Sequence, residues 1–164
     1  MENSPNEKLW KLIDGIRFAM LTTRSADGAL RSRPLTTQNR SLDAADPVLW
    51  FFVSRTSEAA ADAANEADVN VAYADTDNDR YVSIEGQAEL IDDRTQAEAL
   101  WSTAAKAWFP GVPDDPDLQL LRVQIHHAEY WDVKQSKVVQ LFKLARAAAS
   151  GKRPRGLGER HEVR

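Results

Sequence analysis

Between Val48 and Asp62 the chain reads VLWFFVSRTSEAAAD, and few arrangements accommodate residues in that order. Val48 to Val53 carries no polar side chain and is β-branched and aromatic, which predicts a strand covered on both faces. Ser54, Arg55, Thr56 and Ser57 follow at once, and the Ala-rich run Glu58 to Ala64 predicts a helix. The first turn of such a helix presents free backbone N–H groups and about half a positive charge. With hydroxyls and a guanidinium beside it, that turn suits a phosphate monoester. Ser and Thr ahead of a helix also serve as ordinary N-caps, so the sequence leaves both uses open.

A strand buried on both faces needs a domain thick enough to cover it. The 164 residues, 43% hydrophobic and 28% charged, are enough for one. We expect a single domain over residues 1–150 and a polar, basic tail, GKRPRGLGERHEVR, over 151–164. The tail is expected to be mobile unless a partner or cofactor orders it. A net charge of −4 with acids and bases interspersed argues against nucleic acid and anionic membranes as partners. No run of roughly 18 apolar residues is present and the opening MENSPNEKLW is polar, so a cytoplasmic protein is expected. Without cysteine there is no disulfide, thiolate nucleophile or cysteine-ligated metal.

Around the central stretch, Ser4, Pro5 and Glu7 predict a capped helix start, and Leu9, Leu12, Ile13 and Ile16 its apolar face. Ile16–Thr23 and Ala29–Gln38, joined through Ala26-Asp27-Gly28, predict a hairpin whose second strand lies at an edge or bulge because of Pro34. On that strand Arg31, Arg33, Leu35 and Thr37 share a face, which either aims two guanidinium groups at an anion or leaves them as solvated charges. Val69–Ala74 and Arg80–Asp92 predict further strands, with Gly86 and Ala88 allowing close packing. A helix is expected over Asp93 to Phe109, with Thr95 and Glu98 at capping-box spacing. Two short strands are expected at Leu118–Ile125 and Ala128–Val133, and a last helix at Val138–Ala149. The sum is a mainly β, α+β fold around an antiparallel sheet or barrel.

Several chemistries have no address here. Neither G-x-G-x-x-G nor G-x-x-x-x-G-K-[ST] occurs, and no G-x-S-x-G marks a serine hydrolase. Adjacent His126 and His127 would point to opposite faces of a strand, which disfavours a shared metal. What remains is an anion cradle, two arginines on one face and five tryptophans, among them Trp50, Trp108 and Trp131. Together these suit a planar, phosphorylated cofactor, although aromatic residues at such spacings also simply fill cores.

The motifs RSRPLTTQ (31–38), WFFVSRTS (50–57), YVSIEGQAEL (81–90), AKAWFPG (105–111), EYWD (129–132) and SKVVQL (136–141) occur in that order. In this respect the chain, from about Leu9 to Lys152, resembles the general stress protein 26 group of the pyridoxamine 5′-phosphate oxidase-like, FMN-binding split-barrel superfamily. The resemblance implies a six-stranded antiparallel split β-barrel with flanking helices. It also implies a homodimer holding FMN in clefts between subunits. By position, Arg33 resembles the phosphate-contacting arginine, with Arg31 and Leu35 on the same strand face. Gln38 takes the place of a residue near the flavin ring, Val53 and Ser54 that of the strand end meeting it, and Ser57 that of a phosphate-binding hydroxyl. Tyr81 and Trp131 match side chains given by the second subunit, and Trp108 a segment closing over the ring. Where the family commonly has Lys, two residues beyond the serine, this chain has Ala59.

The resemblance thus implies an FMN-dependent oxidoreductase acting on a small molecule. The alternatives are a non-catalytic flavin-binding or sensing dimer, and a member that has lost FMN affinity. The C-terminal third does not resemble the substrate end of true pyridoxamine 5′-phosphate oxidases, so vitamin B6 oxidation is not expected.

Overall fold

The computed structural model describes residues 3–101, 115–132 and 160–163. Helix α1 (Pro5–Ile13) begins as its sequence predicts. The Ser4 hydroxyl accepts from the Glu7 N–H, the Glu7 carboxylate accepts from the Ser4 N–H at 2.9 Å, and Pro5 occupies the first turn. Leu9, Leu12 and Ile13 turn inward from it. Strands β1 (Ala19–Arg24) and β2 (Leu30–Leu35) form the expected antiparallel hairpin, and Gly28 takes φ +86° in its turn. β2 borders the sheet, where the missing N–H of Pro34 costs no ladder bond.

Next come β3 (Val48–Ser54), α2 (Glu58–Asn65), β4 (Asp68–Asp75), β5 (Arg80–Ile91), α3 (Arg94–Leu100), β6 (Leu118–Asp132) and β7 (Arg160–Val163). The strands run antiparallel in the order β2-β1-β4-β5-β6-β3, and β7 joins the far half of β6. Among the described residues no ladder closes β2 onto β3. Instead the chain leaving β2 crosses to β3, where the Gln38 N–H donates to the Trp50 carbonyl at 2.8 Å. The Asn39 carboxamide donates to the Val48 carbonyl at 2.6 Å and accepts from the Trp50 N–H at 2.7 Å. One side chain thereby bonds β3 as the peptide group of a neighbouring strand would.

β3 is covered on both faces, as its composition predicts. Leu49, Phe51 and Val53 enter the main core with Leu9, Leu21 and Ile84. Phe52 faces the other way into a smaller cluster with Ala97, Leu118 and Leu120, and its ring lies 5.6 Å from that of Trp101. Burying so much apolar surface at about 25 cal/mol per Å² is the main force holding β3 in place.

Three expectations are corrected. Leu118–Ile125 and Ala128–Val133 are not two strands: β6 runs through both. Glu85 faces His127 and Gly86 faces Ile125, so His126 is an extra residue bulged out of an otherwise continuous ladder. The helix expected over Asp93–Phe109 starts differently, with the Asp93 carboxylate capping the Gln96 N–H rather than a Thr95/Glu98 box. It ends at Leu100, because Trp101 turns to extended backbone. Residues 102–114, with Trp108, lie outside the described residues, as do 133–159 with the helix expected at Val138–Ala149. Within the tail, Arg160–Val163 forms β7, where ladder bonds, His161 stacked 4.9 Å from Tyr130, and the Arg160 guanidinium between Glu129 and Glu162 fix it to β6.

Candidate functional site

A cavity of about 430 Å³ opens where β3 ends and α2 begins. Phe18, Pro34, Leu35, Phe52 and Val53 give it apolar walls. Its polar lining comes from Arg33, Gln38, Ser54, Ser57, Glu58 and Asp117. Of the residues singled out in the sequence, Arg33, Leu35, Gln38, Val53, Ser54 and Ser57 therefore converge on one space.

The turn between β3 and α2 is closely bonded. Ser57 is the N-cap of α2: its hydroxyl accepts from the Ala60 N–H at 3.2 Å and donates to the Ser54 carbonyl at 2.7 Å. The N–H groups of Glu58 and Ala59 fall in the first turn, where no intrahelical acceptor exists, so the helix end still offers donors. The Ser54 hydroxyl donates to the Asp117 carboxylate at 2.8 Å. Arg55 turns away from the cavity. Its guanidinium takes Asp92 in a two-point pair and donates through Nε to the Pro116 carbonyl at 3.2 Å. That pair holds the Asp92 carboxyl below the usual carboxylate range and the Arg55 guanidinium above its own.

The two arginines of β2 do share a face, and both reach α2. Arg31 is exposed, pairs with Asp27 at 3.7 Å and Glu58 at 3.4 Å, and does not line the cavity. Arg33 is largely buried. Its Nη1 donates to the Thr23 hydroxyl at 2.5 Å and its Nη2 lies 3.4 Å from Asp62 Oδ2, while Thr23 donates to the same oxygen at 2.7 Å. Thr37 is held by the Tyr73 hydroxyl at 2.5 Å, and burial pushes the Tyr73 phenol up, its bond to Thr37 acting in the opposite sense.

Tyr81 and Trp131 lie elsewhere. They face each other across β5 and β6 and do not line the cavity. Sequence reasoning missed Thr23, Asp62 and Asp117. Asp62 carried a signal in being an acid on the core-facing side of an Ala-rich helix, one turn beyond Glu58. Asp117 carried none, since its partner Ser54 is far away in the chain.

The residues present fit a flat, phosphorylated ligand: apolar walls meet a polar end where Arg33 and the first turn of α2 lie together. The two acids at that end already have partners, Glu58 in Arg31 and Asp117 in Ser54. Ala59, 5% exposed, lines the same end.

This open antiparallel sheet with its helices is the fold of known proteins. The family model described as pyridoxamine 5′-phosphate oxidase like matches residues 4–155, and the chain belongs to that family. The general stress FMN/FAD binding protein of Xanthomonas citri is 29% identical over 80% of this chain and 90% of its own, with a TM-score of 0.65. The general stress protein 26 of Bacillus anthracis is 25% identical over 76% and 92% of the two chains, with a TM-score of 0.66. The protein bli-3 of Neurospora crassa is 26% identical over 148 residues, 83% of this chain and 68% of its own length.

Proposed function

We propose that the cavity binds FMN and that the protein is a flavin-dependent oxidoreductase of the general stress type. The observation that carries this reading is the meeting of apolar walls, Arg33 and the free N–H groups of the first turn of α2 in one space. The relative from Xanthomonas citri, described as FMN/FAD binding, supports it. In this reading Arg33 and the N–H groups of Glu58 and Ala59 hold the phosphate, and Ser57 fixes the turn that presents them. Leu35, Gln38 and Val53 border the ring. When bound, FMN supplies the electron and hydride transfer. The chain binds and orients it and keeps water from its apolar side.

We further propose that the functional form is a homodimer. Met20, Leu30 and Tyr81 are apolar residues at 41%, 64% and 39% exposure on the side of the sheet away from the main core. Trp131 lies beside Tyr81 there. A second subunit docked on this face would bring its own Tyr81 and Trp131 into play at a neighbouring cavity. No described helix is long and apolar enough to cross a membrane.

The test is the visible spectrum of the purified protein, with identification of what it releases on denaturation and sedimentation of the loaded form. Release of about one FMN per chain from a dimer, and turnover with a nicotinamide donor, are the expected results. Tight binding without turnover would leave a flavin-binding module. No uptake of added FMN would overturn the reading.

A further inference from the structure

Arg33 is the one cation among the described residues lining the cavity, and it does not stand free. Behind it lies a relay of two buried groups from separate elements. Thr23, on β1, is fully buried, and Asp62, on α2, is 8% exposed. The Thr23 hydroxyl has one proton to give, and it donates that proton to Asp62 Oδ2 at 2.7 Å. Its lone pairs are then left to accept from Arg33 Nη1 at 2.5 Å. The carboxylate oxygen that orients the hydroxyl also lies 3.4 Å from Arg33 Nη2. The guanidinium is thus fixed at two nitrogens. With five donors in a planar fork, it keeps N–H groups to spend on the cavity side.

We infer that Thr23 and Asp62 are positioning residues for the anion-binding step, acting through Arg33. They set its guanidinium at the polar end of the cavity before any ligand arrives. This rests on the proposed placement of a phosphate beside Arg33. The relay also sets two effects of opposite sign against each other. A buried carboxylate next to the binding cation would, by charge alone, weaken the hold on an anion. If its positioning role dominates, removing its charge weakens binding instead.

Two measurements on the full-length protein test this, with FMN and riboflavin as probes. Riboflavin carries the same ring without the phosphate. In Thr23→Val and Asp62→Asn, FMN affinity is expected to fall by about tenfold or more, a loss of the size expected for a charge-assisted contact held out of place, with riboflavin affinity nearly unchanged. Thr23→Ser keeps the hydroxyl and should bind FMN like the unchanged protein. Equal losses for both ligands, or tighter FMN binding by Asp62→Asn, would overturn the inference. The second measurement needs no ligand. Nitrogen-15 NMR of the Arg33 guanidinium, assigned through Arg33→Lys, should show hindered, slowly exchanging Nη protons in the unchanged protein and in Thr23→Ser. In Thr23→Val and Asp62→Asn those signals should be lost. Signals that persist in both variants would sink the idea. Failure of the unchanged protein to bind FMN would instead count against the proposed function, and the guanidinium spectra would still decide the role of the relay.

Discussion

Gly86 lies directly under the Gln124 carbonyl, so that a Cβ placed on it would overlap that oxygen and stand 2.9 Å from Val123 Cγ1. The crowding comes from the shift in β5–β6 pairing next to Gly86. The obstructing atom is backbone and cannot swing aside. Gly86→Ala is expected to cost about 3 kcal/mol, the upper part of the range for overpacking a buried site. Chemical denaturation of the two proteins checks this, and a loss below half that size would mean β6 yields at the bulge.

Asn39 does the work of a neighbouring strand's peptide group, bonded to the Val48 carbonyl and the Trp50 N–H. Asn39→Ala leaves both backbone groups of β3 without that partner, and a loss of about 2 kcal/mol is expected. Amide exchange at Trp50 should quicken in the same variant. An unchanged Trp50 rate would show that the bridge contributes nothing to holding β3.

Ala59, buried at 5% exposure, lines the polar end of the cavity beside Ser57 and Glu58. Ala59→Lys adds an ammonium there. If a phosphate binds at this end, FMN affinity should rise about tenfold, and the gain should shrink as salt is added. Titration at low and high ionic strength measures both. A gain equal for FMN and riboflavin would place the phosphate elsewhere.

Four aspartates, Asp27, Asp43 and Asp92 in turns and loops and Asp75 at the end of β4, titrate below their ordinary range. For Asp27 the largest cause is the Ser25 hydroxyl, for Asp43 the Asp46 N–H, for Asp75 the Asn78 side chain and for Asp92 the Arg55 guanidinium. A carboxyl lowered in the folded state stabilises it above the unfolded value, about 3.9, and that stability is lost as pH falls through the lower folded values. Stability should therefore be flat near neutrality and decline below about pH 4. Asp92→Asn removes one of the four, so its acid unfolding curve should be shallower. Identical slopes would show that the exposed Arg55–Asp92 pair adds nothing measurable.

What the sequence made legible was what repeats locally. β3 announced itself by an unbroken apolar run, β5 by strict alternation, and α1 by the spacing of Ser4, Pro5 and Glu7, because each signal lies within a few residues. Six of the ten site residues could be brought to one cavity because β2, β3 and the start of α2 carry them in short motifs. Long-range pairing was hidden. That Arg55 would spend its charge on Asp92, and Ser54 its hydroxyl on Asp117, depends on how β5 and β6 return past the turn. The single strand β6 was missed for a related reason. Its inward residues are Leu121 and Val123 before the bulge and Ala128 and Tyr130 after it, so the alternation changes parity and imitates two strands.

That change of parity makes β6 tolerant of a change in length at one place. Removing His126 would let Ile125 be followed by His127 in regular pairing with Gly86 and Glu85, and Ala128 and Tyr130 would still point inward. Removing a residue well away from the bulge would turn part of the strand inside out, exchanging core side chains for solvent-facing ones. His126 is the spare link of the strand: it relieves the pairing of one residue, and through the crowding at Gly86 it dictates which side chain its neighbour cannot have.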